Sequence, residues 1–376
     1  MASSARGRAV LVRRAQHLVV QWRGRTLRVH NYATGIKAEV PSKVCELLSL
    51  CDDWTTLADL ASAGLVPPSA FSATIRKLVE FTLLERSDRR PDPRVTALDT
   101  LRVWNPQAGF FHLTTKDVRF AAPQALRSVP ARNAAGRRPP AAIKRYTNRR
   151  TTDLPRPNAN GELATALRAR RTWRRYSQKS ITLDELATVL ALSAGVQLWV
   201  KGADVPIPLK TSPSGGARHA TEVYVVAQNV DGLKAGIYHY APARHGLTRI
   251  AKAASKARVR AYVPGSEYFA DAPVMVFFTS VFARILWRYP YARAYRAALI
   301  EAGHVCQSFL LMATSLGLAP FSVMALADSL IEDDLGIDGI QESVLYAAGI
   351  GRPPRGVAWA PLAKGPAPKV RRNSRV

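Results

Sequence analysis

A chain of 376 residues has the length for two domains, each with its own core. Hydrophobic residues make up 47% of it, which excludes a disordered polymer. With 54 Lys and Arg against 27 Asp and Glu, the net charge is +27. That excludes a broad acidic surface and points to a partner carrying negative charge: nucleic acid, anionic lipid, an acidic peptide or a phosphorylated cofactor. Cys45, Cys51 and Cys306 are too few for a disulfide framework, and they lack the spacing of metal ligands, a haem attachment or an iron–sulfur run.

Residues 1–37 form a basic segment without a single acidic residue, in the manner of a transit peptide, but without the apolar run of a signal peptide. No apolar run reaches about 18 residues, so the expectation is no membrane span and a cytoplasmic protein. Residues 38–118 read as a small domain. A helix over 40–50 starts after Pro41 and carries Val44, Leu47 and Leu48. Thr55 or Thr56 caps a second helix over 57–63, and Pro67-Pro68-Ser69 opens a third with Phe71, Ile75, Leu78 and Val79 at helical spacing. A short strand over 83–86 completes a winged-helix-like pattern. The third helix offers only Arg76 and Lys77 before Glu80, so a peptide-docking or scaffold module is favoured over DNA binding. Residues 101–118 are aromatic and partly alternating. Residues 119–160 are rich in Pro and Arg, which denies both helix and core, and read as a linker.

Residues 161–355 predict the large domain. A helix over 163–171 is followed by a second helix that Thr182 and Glu185 open with capping-box spacing and that runs to Gly195. Strands are expected over 222–227, 236–240, 274–279 and 343–348, with a long helix over 291–316. Residues 356–376 form a basic tail. There is no internal repeat, no Gly-x-Gly-x-x-Gly and no P-loop, so a nucleotide cofactor is not held in the usual way.

Four segments carry candidate chemistry. Arg170-Arg171-Thr172-Trp173-Arg174-Arg175-Tyr176 places four Arg around a hydroxyl beside a helix end. Guanidinium forks fit phosphate oxygens, but a solvated basic surface fits the same composition equally well. Ser212 to His219 contains paired glycines that let backbone N–H groups approach a ligand, although a plain turn is the better reading of that stretch alone. The aromatic and basic run over 287–296 precedes a helix in which Glu301 and His304 share a face with Ser308. This is an acid–base pair or, the favoured reading, a satisfied internal histidine. Gly317 to Ser322 reads as a helix stop followed by an apolar loop. No Gly-x-Ser-x-Gly elbow supports serine catalysis.

In order, these segments resemble the FMN-dependent nitroreductase superfamily and, within it, the SagB-type dehydrogenases of peptide maturation. Arg-Arg-Thr-x-Arg-x-Tyr at 170–176, Pro213-Ser214-Gly215-Gly216 with Glu222-Val223-Tyr224, Gly236-Ile237-Tyr238-His239-Tyr240 and Glu301-Ala302-Gly303-His304-x-x-Gln307 carry the resemblance. It covers about residues 160–355, and more weakly the preceding domain. It implies an α+β fold: a mixed sheet flanked by helices, preceded by a small winged-helix-like domain, in a homodimer with FMN at the subunit interface. Carried over, Arg171, Thr172 and Arg174, assisted by Arg170, hold the FMN phosphate, and Pro213, Ser214 and Gly215 border the ring. Ala319, Phe321 and Ser322 give backbone groups to the pocket, and Arg352 reaches the phosphate from the C-terminal side. No metal is implied.

Relatives of this type oxidise azolines to azoles, with a Lys-Tyr pair proposed for the base. Arg288-Tyr289 stands there in this sequence, so Tyr289 is the candidate base. Arg288 departs from the pattern, since a guanidinium stays protonated. Ala220, where relatives commonly carry Pro, is a second departure. The implied partners are a precursor peptide with an acidic leader and a cyclodehydratase-type enzyme, without membrane or nucleic acid. The alternatives on the same sequence are an NAD(P)H-dependent nitro or quinone reductase and a flavin-free docking subunit.

Overall fold

The computed structural model describes residues 9–24, 26–100, 106–118, 143–144, 152–155, 160–202 and 205–356. The expected linker over 119–160 and the tail over 356–376 lie largely outside these residues. The chain divides into two compact units: residues 1–116 with 286–295, and residues 117–285 with 296–376.

The first unit begins with four strands: β1 (Leu11–Arg14), β2 (Leu18–Arg23), β3 (Thr26–Asn31) and β4 (Ile36–Val40). The basic segment 1–37 thus holds three strands and the start of a fourth. Its arginines sit on outer faces, Arg13 against Glu85, Arg14 against Asp52 and Arg28 against Glu39, while Val12, Leu27 and Val29 between them are buried. Charge in the sequence masked a period-2 pattern. Helices α1 (Ser42–Ser49), α2 (Leu57–Ser62) and α3 (Pro68–Glu80) follow, with β5 (Thr55–Thr56) before α2 and β6 (Leu84–Arg86) after α3. Thr56 caps α2 by accepting from the Asp59 N–H. A three-stranded sheet runs β5-β1-β6, so the N-terminal strand completes it from the centre. Leu47, Leu60, Ile75, Leu78 and Leu83 pack with Val12 and Val29 into one core. Helices α4 (Pro93–Thr100) and α5 (Pro106–Thr114) close the unit. Within the aromatic run the helix α5 starts at Pro106, a residue suited to a first turn.

The second unit is built on a six-stranded sheet ordered β13-β12-β10-β14-β16-β15. Its strands are β10 (Thr221–Ala227), β12 (Gly236–Ala241), β13 (Gly246–Lys252), β14 (Val274–Val281), β15 (Ala319–Val323) and β16 (Glu342–Gly351). Every neighbouring pair in it is antiparallel, where a mixed sheet was expected. Parallel pairing is seen instead between β7 (Ile181–Thr182) and β11 (Val230–Asp231). Both faces of the central strands are covered, which explains their nearly unbroken apolar sequence. Val223, Val225, Val276 and Phe278 face one core with Val305, Phe309 and Leu310, while Tyr224, Val226, Met275 and Phe277 face another with Val259, Tyr262 and Ile331. Phe278 and Phe309 meet edge to face at 6.1 Å. Burying either ring contributes about 2–3 kcal/mol.

Around the sheet lie α6 (Glu162–Ala169), α7 (Leu183–Ala194), α8 (Lys256–Ala261), α9 (Phe282–Arg288), α10 (Ala294–Ser315) and α11 (Asp328–Leu335). The capping box of Thr182 and Glu185 opens α7 as the sequence predicts. The helix expected over 291–316 begins at Ala294, because Pro290 separates it from α9. It stops where Gly317 takes φ 70°, with Leu318 N–H reaching back to the Ala313 carbonyl. Among the described residues α10 is the helix long and apolar enough to cross a bilayer, but Ala302, Val305, Cys306, Phe309, Leu310 and Ala313 spend its apolar face on the core. The loop expected after Gly317 is strand β15. Pro320 is accommodated there because β15 is the edge of the sheet.

Candidate functional site

The Arg-rich segment leaves the end of α6. Arg170 N–H bonds to the Ala166 carbonyl, and Arg171 turns Nη1 onto the carbonyls of Arg168 and Arg170, both at 2.7 Å. These bonds satisfy acceptors that a helix end leaves open. The chain then lies along β15 and the end of β16. Trp173 N–H bonds to the Pro320 carbonyl at 3.0 Å, and Ser177 N–H bonds to the Arg352 carbonyl at 3.0 Å. Tyr176 packs beside Phe321, which stacks on Phe269 at 4.1 Å. Arg170 and Thr172 are half-buried, and Arg174 is exposed with its guanidinium 6.0 Å from the Tyr268 ring.

Pro320 has no N–H, and its carbonyl goes to Trp173, so positions 320 and 322 face away from β16 while 319 and 321 pair with it. Ala319 and Phe321 are fully buried. Of the backbone groups expected from β15, those of Ser322 therefore face the open edge. Its hydroxyl accepts from Tyr346 at 3.0 Å. Arg352 is redirected. It forms a two-pronged pair with Glu185 at 3.0 and 2.7 Å and donates Nε to the Ser180 carbonyl. It clasps the C-terminal strand to the start of α7, whereas the resemblance places it at the phosphate.

The glycine loop is strained and tied down. Gly216, Ala217 and His219 have φ of 59°, 52° and 45°, and the last two are not glycine. Ser214 Oγ accepts from His219 N–H at 2.8 Å. Ser212 Oγ donates to the Ser193 carbonyl and meets Ser308 Oγ, both at 3.0 Å, and His304 Nδ1 lies 3.3 Å from the Pro213 carbonyl. Glu301 accepts from Thr221 N–H at 2.8 Å, and its Oε2 is buried without a partner among the described residues. The face shared by Glu301, His304 and Ser308 is therefore a mooring for loop 212–221.

Beside the loop, strand separation hides a polar cluster from any sequence spacing. Glu222 binds His239 at 2.6 Å and also pairs with Arg284, which donates to the His219 carbonyl at 3.1 Å. Burial raises the Glu222 carboxyl, but the His239 bond and the Arg284 charge outweigh it, holding the carboxyl below its ordinary range. Burial pushes Lys210 and His219 down, and it lifts the Cys306 thiol to about 12, far from thiolate chemistry.

The loop enters β10 at the Ser280 end of β14, whereas the Arg segment meets β15 level with Val274. Six residues of strand separate the two levels, about 20 Å. Within one copy the sheet brings 170–177 together with β15, and 212–219 together with α10, at different levels. Arg288 and Tyr289 belong to the first unit; Arg288 is exposed and Tyr289 half-buried.

The nitroreductase family model matches residues 167–352, the span that contains both groups. A Methanocaldococcus jannaschii protein named as a nitroreductase is 34% identical over 176 residues, covering 47% of this chain and 85% of that protein. The chain belongs to the nitroreductase family. Two further relatives of this nitroreductase-family protein are the trifolitoxin-processing protein of Rhizobium leguminosarum bv. trifolii, 33% identical over 144 residues, and the microcin B17-processing protein of Escherichia coli, 30% identical over 131 residues. Those matches cover 37% and 34% of this chain, and 38% and 48% of the relatives.

Proposed function

We propose that the protein is an FMN-dependent oxidoreductase that dehydrogenates a heterocyclised residue, such as an azoline, in a ribosomally synthesised peptide. The observation that carries this reading is that a cationic segment and a strained, anchored loop both fall inside the family-matched span. The residues fit the cofactor. Arg174 is an exposed guanidinium with no carboxylate partner among the described residues, Arg170 and Thr172 stand beside it, and Arg171 shapes the helix end. Together they suit a phosphate. Pro213, Ser214 and Gly215 offer small side chains and backbone against a flat ring. FMN, when bound, supplies the two-electron acceptor for dehydrogenation.

A second copy of the chain completes the site. The two groups stand about 20 Å apart along the sheet, so one copy supplies the cationic segment and its partner the loop. Leu198 and Trp199 of β8 (Val196–Val200), with Leu209 of β9 (Ile207–Lys210), form an exposed apolar hairpin just before the loop and give that copy a surface to cover. Tyr289 is proposed as the base that takes the substrate proton, a role for which Tyr289→Phe should slow turnover while leaving FMN content unchanged.

The relationship to two peptide-processing proteins supports a peptide substrate. The Methanocaldococcus relative, matched over more of its own length, favours a second reading, an NAD(P)H-dependent reductase. Anaerobic stopped-flow mixing decides between them. Bleaching of flavin absorbance by an azoline peptide, and not by NADH or NADPH, supports the dehydrogenase; rapid bleaching by a nicotinamide alone supports the reductase.

A further inference from the structure

We propose that a cavity between α7 and the β12–β13 hairpin is a specificity pocket for a bulky apolar residue of the substrate peptide, held together with the peptide groups on either side of it. The proposal takes its partner from the peptide reading above, but its evidence comes from residues outside both groups of the proposed flavin site. The cavity measures about 370 Å³, room for roughly a dozen waters, and falls within the size of small-ligand sites. Leu183 and Leu190 of α7, with Leu233 and Leu247, give it apolar walls, and Gly246 adds backbone alone. Leu190 is buried, whereas Leu183 is exposed at the rim. Ala187 lies between them on the same helix face and leaves the space that a larger side chain would fill.

The polar side chains of the lining are Asp184, Tyr240 and His245. Tyr240 is 2% exposed, and its hydroxyl meets His245 Nδ1 at 2.9 Å. Were the hydroxyl to accept, its own proton would be buried without a partner; it therefore donates, and the imidazole carries its proton on Nε2. Burial lifts the Tyr240 phenol to about 12, which keeps that donor in place across the neutral range. His245 stands in the turn at φ 47°, with its ring edge-on to Tyr240 at 5.9 Å. Asp184, in the first turn of α7, is exposed and forms no ion pair among the described residues. The lining thus offers one N–H donor and one carboxylate acceptor beside an apolar floor. Peptide groups supply the complement, a carbonyl for His245 and an N–H for Asp184. A fatty acid would set its carboxylate against Asp184, and an apolar amine would leave the imidazole N–H unused. The pocket also adjoins the loop of the flavin reading. A Cβ on Gly195 would lie 3.0 Å from the Tyr240 hydroxyl, so the floor reaches the end of α7. Two residues before Gly195, the Ser193 carbonyl holds Ser212. The floor is on the order of 10 Å from that loop, a distance that an extended chain covers in about three residues. The pocket therefore selects an apolar residue about three positions from the oxidised one.

The test uses the full chain and the acetylated, amidated tripeptide glycyl-phenylalanyl-glycine, read by saturation-transfer NMR on the peptide and by the histidine ring signals of the protein. The expected result is saturable binding with a shift of the His245 signal, and no binding of the matching triglycine. Asp184→Ala and His245→Gly should each weaken binding about fivefold, the glycine being suited to the turn. Ala187→Trp should abolish it by filling the space. In an azoline peptide, replacing an apolar residue three positions from the azoline with glycine should raise KM about tenfold and leave kcat unmoved. No binding, equal binding of triglycine or of phenethylamine, an unmoved His245 signal, or indifference to all three variants would overturn the pocket. Circular dichroism identifies a variant that has failed to fold, and the ligand series tests the pocket without altering the protein. Flavin reduction is read on the same samples. A flavoprotein that oxidises azoline peptides but ignores the tripeptide sinks the pocket alone. A protein that binds the tripeptide but is bleached only by a nicotinamide sinks the dehydrogenase and leaves the pocket standing.

Discussion

Arg352 and Arg174 carry the same charge and do different work, and their neighbours decide which. Arg352 is gripped by Glu185 and the Ser180 carbonyl, so it joins elements; Arg174 lies 6.0 Å from the Tyr268 ring and has no carboxylate partner among the described residues. Arg352→Ala should therefore cost about 1–2 kcal/mol in urea unfolding, from lost bonds to a charged group, and leave the FMN affinity of the folded protein unchanged. Arg174→Ala should do the opposite, weakening FMN about tenfold in a fluorescence titration with the unfolding midpoint unmoved. The resemblance put both on the phosphate, because a sequence records that an arginine is present and not what faces it. Glu222 gives a pH signature. Its carboxyl is depressed in the fold, so its contribution is present above the unfolded carboxylate range and disappears as pH falls through the lower folded value. Thermal melts over acid pH should show this loss, and Glu222→Gln should flatten it.

Elements were legible where their signal is local. The caps of α2 and α7, the third helix of the small domain and the apolar strands of the sheet centre all follow from propensity and period. The strands that escaped notice draw their stability from partners. β15 contains a proline that only an edge tolerates, and β1 to β3 conceal their alternation under arginines paired to distant acids. The mooring of loop 212–221 was half legible: the helix spacing of Glu301, His304 and Ser308 gave one face, but not what it holds. Strand β16 depends on small residues for β15 to close over it. A Cβ on Gly349 would come within 2.3 Å of the Phe321 ring and 2.5 Å of the Val274 carbonyl. Gly349→Ala should therefore destabilise by about 1–3 kcal/mol in chemical denaturation and disturb the β15 edge on which the Arg segment lies.

At the scale of the molecule, the charge surplus divides between roles that no count separates. Some arginines are paired within the small unit, and Arg174 serves the proposed cofactor. The proposed assembly rests on the separation of the two site groups, about 20 Å along the sheet. Trp199→Glu places a charge on the exposed apolar hairpin. In sedimentation it should shift the protein from dimer to monomer, and the monomer should lose FMN although both sets of residues remain intact.

The account stands on flavin. Its most direct test is the absorption spectrum of the purified full chain, followed by heat release and identification of the bound ligand. The account predicts a yellow protein with flavin bands and FMN near one per chain, or uptake of added FMN to that ratio. A colourless protein that takes up no FMN at saturating concentration would contradict it, leaving the family's fold without its chemistry.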